Sequence, residues 1–143
     1  MSRFLYADTS ALAKVFWRES GSELVLSVVK NADAVASVSL GYVELVSASI
    51  RAGRRGDVPT DDVPIVVDAI ALHWRDVVRI PVDDALVSEA ARLAGTYSVR
   101  AYDAVHLAAA LRWQSMIREP VLFLAFDKEL LEAAKGEGFQ TAS

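Results

Sequence analysis

The chain has 143 residues, 53% of them apolar and 24% charged, the balance of one soluble globular domain rather than of a disordered segment or a string of domains. It holds no cysteine, which excludes disulfides, thiolate nucleophiles and cysteine-bound zinc, and His73 and His106 alone cannot build a usual structural zinc site. With 15 basic against 19 acidic residues the formal charge is −4, so the whole-molecule field attracts neither nucleic acid nor an anionic membrane, and any nucleic-acid site must be local or cation-assisted.

Phe4 to Ala7 is a short apolar run broken by Asp8, Thr9 and Ser10. The ALAKVF that follows has helical spacing, so a strand hands over to a helix here. Gly21 opens a second amphipathic stretch, with Leu24, Val25, Val28 and Val29 on one stripe, ending near Asn31. Residues 34–38 read as a second strand and 41–52 as a helix closed by Gly53, glycine being best suited to the left-handed turn beyond a helix. Pro59 and Pro64 bracket the start of a longer helix to about Asp76, and 77–82 is rich enough in β-branched residues to be a strand. Asp83 and Asp84 suit the N-terminal cap of a helix to about Tyr97, and 103–117 forms the next helix. The VLFLAF run at 121–126, the longest apolar stretch, falls far short of the roughly 18 residues of a membrane helix and reads as a buried strand. A helix over 127–135 follows, with an edge strand after Gly138. The run at 4–7 is too short for the hydrophobic region of a signal peptide, so a cytoplasmic protein is expected. Short strands alternating with helices predict a single α/β domain, residues 1–143, with a parallel sheet covered on both faces.

Ligands of such sheets bind outside the carboxyl ends of the strands. Asp8 and Asp127 stand at that rim, although aspartate there is also a favoured helix cap. Glu44 lies inside its helix among Tyr42, Val43, Leu45 and Val46, where capping does not explain it. Its neighbours at three and four residues, Leu40, Gly41, Ser47 and Ala48, are mostly small. Asp103 opens the apolar, alanine-rich RAYDAVHLAAAL, where it could cap the helix or face a site. The four acids are each flanked by apolar sequence, without an equal number of bases nearby. No GxSxG, HExxH, GxxxxGK[ST] or GxGxxG pattern occurs.

The segments YADTSALAKVF, Glu44 on the third helix, RAYDAVHLAAAL, and LFLAFDKELLEAA followed by Gly138 resemble, in order and spacing, the four acidic motifs of the PIN domain. Chain length and the absence of cysteine also match the stand-alone PIN toxins of the VapC type. The resemblance covers nearly the whole chain. It implies a PIN-like fold, a central parallel sheet of four to five short strands flanked by helices on both faces. It further implies a metal-dependent endoribonuclease toxin in which Asp8, Glu44, Asp103 and Asp127 hold Mg²⁺, or Mn²⁺ in its place, and cleavage leaves a 5′-phosphate and a 3′-hydroxyl. Ser10 offers a hydroxyl beside the first acid. A homodimer and a protein antitoxin, whose tail lies along the groove with an arginine among the acids, are implied as well. The family commonly has Thr or Ser two residues before the fourth acid, where this chain has Ala125, so a hydroxyl contact from that side would be missing.

The residue types suit that chemistry on their own account. Hard Mg²⁺ or Mn²⁺ prefers carboxylate oxygen and water, and such an ion activates water for attack on phosphorus. Arg51, Arg54 and Arg55 of RAGRRG, and Arg100 just before Asp103, present forked donors for RNA phosphates; the first three equally sit where cations complement a helix C-terminus. Trp17, Trp74, Trp113 and Tyr97 could stack bases, but at helical spacing aromatics are more often core. His106, one turn beyond Asp103, reads as a packed helix residue rather than a base. Two other readings stand beside the nuclease. One is a Mg-dependent phosphoryl-transfer domain, a receiver or a haloacid-dehalogenase-like phosphatase, the latter expecting an acid where Ser10 stands. The other is a catalytically silent PIN-fold module that binds RNA or protein.

Overall fold

The computed structural model describes residues 3–143, so the first two residues of the expected single domain lie outside the described ones. The elements run β1 (Phe4–Ala7), α1 (Thr9–Phe16), α2 (Ser22–Asn31), β2 (Ala34–Val38), α3 (Gly41–Arg55), a 3₁₀ turn (Thr60–Asp62), α4 (Val63–Trp74), β3 (Val78–Ile80), α5 (Asp84–Tyr97), α6 (Ala101–Ile117), β4 (Val121–Leu124), α7 (Lys128–Gly136) and β5 (Gln140–Ala142). Among the described residues the strands form one five-stranded sheet in the order β3-β2-β1-β4-β5, parallel at every pairing. Tyr6 lies opposite Ala36 on one side and Phe123 on the other.

Alternation along the strands divides the core into two layers. Tyr6, Ala36, Val38 and Phe123 pack with Leu86 and Leu93 of α5, Leu107 and Trp113 of α6 and Leu130 of α7. On the opposite face Leu5, Ala7, Leu122 and Leu124 pack with Leu12 of α1, Val25 of α2, Leu45 of α3, and Ile70 and Trp74 of α4. With both faces covered, β4 is buried at all four positions, which is why an unbroken apolar run rather than an alternating one encodes it. The alanines at 108, 109 and 110 of α6 are all buried and let that helix lie close against its neighbours. No helix among the described residues is long and apolar enough to cross a membrane.

Several boundaries differ from the sequence reading, each for a local reason. α3 continues to Arg55, and the left-handed cap is Gly56 (φ 86°), whose N–H reaches the carbonyls of Ala52 and Gly53. Gly53 serves close helix packing instead, since a Cβ there would stand 2.6 Å from Val63 Cγ2. α4 ends at Trp74, and β3 covers only 78–80. α6 starts at Ala101 with Arg100 in the N-cap position, making no side-chain cap bond. Asp103 therefore lies in the first turn and does not cap the helix. Asp83 caps α5, accepting from Leu86 N–H at 2.8 Å.

Candidate active site

The strand order reverses at β1, with β2 on one side and β4 on the other. In a doubly wound sheet that is where a crevice opens beyond the carboxyl ends. Asp8 follows β1 directly, its N–H donating to Leu124 O at 3.2 Å, and Asp127 follows β4. Both act as caps: Asp8 Oδ1 accepts from Ala11 N–H at 2.9 Å and Asp127 Oδ1 from Leu130 N–H at 2.9 Å. Both also face the crevice. The cap and site readings therefore hold together.

The crevice is a pocket of about 170 Å³ lined by Asp8, Ser10, Glu44, Arg100, Asp103 and Asp127, with Thr9, Tyr102 and His106 completing it. All four acids singled out by the sequence share it, Asp8 and Asp127 as the N-caps of α1 and α7 and Glu44 and Asp103 from the first turns of α3 and α6. A second hollow of about 230 Å³, lined by Phe16, Val29, Val35 and Trp74 among others, contains none of the four.

Asp8 is only 5% exposed. Burial pushes its carboxyl up from 3.8 to about 6, and Asp103 and Glu44 push the same way against the opposing donors Ala11 N–H and Ser10. Ser10 Oγ lies 2.8 Å from Asp8 Oδ1 and 3.0 Å from Oδ2, its single proton shared between them. Burial, then Asp127, raises the Asp103 carboxyl, while Arg100 acts in the other direction. Glu44 sits in the first turn of α3 and accepts from Thr9 Oγ1 at 3.0 Å. Arg100 bridges two of the acids, donating to Asp127 Oδ2 at 3.3 Å with its Nε 3.9 Å from Asp103.

Among the described residues no three His, Asp or Glu side chains are grouped closely enough to hold one ion together. The four carboxylates share a pocket without forming a ready-made cage. The donor set nevertheless fits a hard cation that binds through one or two carboxylates and keeps several waters. Tyr102 borders the same pocket: its buried hydroxyl meets no hydrogen-bond partner among the described residues, while burial and then neighbouring Glu44 hold the phenol above its ordinary range.

His106 is 1% exposed, and burial pushes its imidazole down to about 3. It is neutral at physiological pH and packed, as its place on the helix suggested. Of the four arginines, only Arg100 lines the pocket. Arg54 and Arg55 occupy the last turn of α3, roughly 15 Å along the helix from Glu44 at 1.5 Å per residue. Arg51 donates to Ser47 Oγ at 2.8 Å, and Arg55 pairs with Asp57 at 3.0 Å. Trp74 and Trp113 are core residues, Trp17 Nε1 donates to Glu19 at 3.2 Å, and Tyr97 donates to Glu137; none of the four lines the acidic pocket. Ala125 is fully buried and, as an alanine, offers Asp127 no hydroxyl. Thr9 and Tyr102, which the sequence reading did not single out, each carry a hydroxyl and adjoin one of the acids in sequence.

Residues 5–136 match the PIN domain family. Ribonuclease VapC49 of Mycobacterium tuberculosis (strain ATCC 25618 / H37Rv) is 29% identical over 139 residues, covering 96% of this chain and 94% of its own. Ribonuclease VapC47 of Mycobacterium tuberculosis (strain CDC 1551 / Oshkosh) is 31% identical over 144 residues, covering 97% and 96%. Among solved structures, FitAB bound to the IR36 DNA fragment aligns with a TM-score of 0.67 at 13% identity over 97% of this chain and 94% of that one. FitAcB from Neisseria gonorrhoeae aligns at 0.63 and 15% over 98% and 97%, a likeness of fold. The family match and the near-full-length identity to two VapC ribonucleases place this chain in the PIN domain family, as a member of its VapC type.

Proposed function

We propose that the protein is a metal-dependent endoribonuclease, the toxin of a toxin–antitoxin pair, acting in the cytoplasm as a homodimer. The observation that carries this reading is the gathering of Asp8, Glu44, Asp103 and Asp127 around one pocket, in a chain related to proteins named as ribonucleases. Asp8, Glu44, Asp103 and Asp127 would hold Mg²⁺ or Mn²⁺, directly or through water. A bound ion supplies acidified water and neutralises phosphodiester charge.

The chain's own residues do the rest. Ser10 donates to the Asp8 carboxylate, and Thr9 donates to one oxygen of Glu44. Arg100, with an 82% exposed side chain, pairs with Asp103 and Asp127 and can turn its forked donors to an RNA phosphate. Arg51, Arg54 and Arg55 lie outside the pocket, toward the C-terminal end of α3, and would meet RNA only at a distance from the reacting phosphate. The same acidic pocket suits a basic side chain of an antitoxin tail.

The test is incubation of the purified protein with an RNA pool in Mg²⁺ or in EDTA. Cleavage should require the metal and leave 5′-phosphate and 3′-hydroxyl ends. Asp8→Asn and Asp103→Asn should each lower the rate at least roughly a hundredfold, about 2.7 kcal/mol of barrier. Expression alone should slow growth, and the double variant should not. Cleavage that persists in EDTA, or ends in 2′,3′-cyclic phosphate, overturns the reading, as does full activity in either variant.

A further inference from the structure

At the back of the acidic pocket, which His106 helps to line, is a buried polar pair that direct contact with a metal does not explain. Tyr6 of β1 and His106 of α6 are both enclosed within the apolar layer beneath α5–α7, with the Tyr6 ring stacked on Phe123 at 5.5 Å. Two apolar residues would fill that space without the cost of burying polar groups. The pair is linked, with Tyr6 Oη 2.8 Å from His106 Nδ1. The other ring nitrogen, Nε2, lies 3.4 Å from Thr9 Oγ1, and Thr9 Oγ1 lies 3.0 Å from Glu44 Oε2.

Counting protons gives this chain one direction. An ionised carboxylate only accepts, and a threonine hydroxyl has a single proton, so the Thr9 proton goes to Glu44. The Thr9 oxygen is then the acceptor toward His106, which places the imidazole proton on Nε2. Nδ1 is left bare and accepts from the Tyr6 hydroxyl. In the other tautomer a bare Nε2 would compete with Glu44 for the one Thr9 proton. Burial keeps the ring neutral, with one donor and one acceptor.

We propose that Tyr6 and His106 are positioning residues that act through Thr9, a one-way hydrogen-bond chain from β1 across α6 holding the Glu44 carboxylate of α3 in its place at the acidic site. The inference rests on reading Glu44 as part of that site. Partners that orient a metal ligand from behind typically contribute ten- to a hundredfold in affinity or activity, and the low end suits a chain whose middle link is long.

The test begins with the metal-free, full-length protein. Imidazole ¹⁵N spectra at neutral pH should show His106 protonated at Nε2 and bare at Nδ1, and the Glu44 side-chain carboxyl ¹³C resonance should move in Tyr6→Phe. That variant removes one oxygen and keeps the ring on Phe123. An Nδ1–H tautomer, or an unmoved Glu44 resonance, overturns the proposal whether or not the protein is a nuclease. Mn²⁺ affinity by direct titration should then fall about tenfold in Tyr6→Phe and in Thr9→Val, and be retained in Thr9→Ser. On RNA, Tyr6→Phe should lower kcat and leave KM unchanged. In a Glu44→Gln background Tyr6→Phe should cost no further Mn²⁺ affinity; additive losses overturn the chain. A wild-type protein that neither binds Mn²⁺ nor cleaves RNA refutes the nuclease reading instead, and the two spectra still decide the hydrogen-bond chain.

Discussion

Replacing Asp8 by Asn should stabilise the metal-free protein at neutral pH, although it removes an active-site residue. Asp8 is buried beside Asp103 and Glu44, and its carboxyl is raised from 3.8 to about 6. A group whose folded pKa exceeds its unfolded one opposes folding when ionised. The penalty is absent below 3.8, grows as pH rises to about 6, and is full above that. That gap corresponds to roughly 3 kcal/mol at 1.36 kcal/mol per unit. Asn keeps an Oδ1 for Ala11 N–H and caps nearly as well as Asp. It loses the anion's attraction to the N-terminus of α1, worth up to roughly 1 kcal/mol, so the net gain is about 2 kcal/mol.

An unfolding entropy of about 2.1 cal/mol/K per residue over 143 residues converts that gain to about 7 °C in Tm. The assay is a set of thermal melts of both proteins in EDTA from about pH 3.5 to 7.5. The curves should coincide at the acid end, separate between 3.8 and about 6, and stay apart above. Mn²⁺ at a hundred times its Kd should add about 2.7 kcal/mol to the wild type and much less to the variant. A variant less stable at neutral pH, or a Tm difference independent of pH, would refute the claim that burial and neighbouring acids strain Asp8.

Arg100→Ala removes the cation shared by Asp103 and Asp127; Mn²⁺ affinity should rise several-fold by calorimetry while KM for RNA also rises, and an unchanged Mn²⁺ affinity would remove Arg100 as a competitor for the site. Gly53→Ala should destabilise by about 1 to 3 kcal/mol because its Cβ would stand 2.6 Å from Val63 Cγ2, with Val63→Ala restoring much of the loss in urea titrations. Gly56→Ala meets no neighbouring atom but occupies φ 86°, so its cost of roughly 1 to 2 kcal/mol should be indifferent to Val63→Ala.

The parallel sheet was legible because its strands are short apolar runs between helical patterns, and VLFLAF announces a strand buried on both faces. Glycine misled at α3 because two physical demands call for the same residue. Gly53 admits Val63 of a neighbouring helix and Gly56 turns left-handed, and the packing partner is invisible along the chain. The start of α6 was hidden for a different reason. Ser98 adopts a left-handed conformation (φ 56°) and Arg100 an extended one (ψ 155°) without a side-chain cap, so no customary start signal marks the boundary. Asp8 and Asp127 could be read from the ends of their strands. The partners of His106 could not, since Thr9 and Tyr6 lie 97 and 100 residues away in sequence.

The four acids share one structural feature, which also explains why so much negative charge can gather with Arg100 as the one cation lining the pocket among the described residues. Asp8 and Asp127 are the N-caps of α1 and α7, and Glu44 and Asp103 sit in the first turns of α3 and α6. Each carboxylate is thus placed at the positive end of a helix, where an anion is stabilised. For three of them this follows from an all-parallel sheet, whose strands deliver the chain from their carboxyl ends into helix N-termini on one rim. Asp103 is the exception, because α6 follows α5 through the left-handed Ser98 rather than a strand. The helix ends only partly offset the crowding. At Asp8 the backbone donor and the Ser10 hydroxyl are outweighed by burial and by the neighbouring acids, so the pocket remains short of positive charge. Arg100 supplies some of it from the side of Asp103 and Asp127, and Asp8 and Glu44 have no basic partner among their hydrogen bonds. A divalent ion should therefore relieve most strain at Asp8, and the metal-induced rise in Tm should shrink more in Asp8→Asn than in Asp127→Asn.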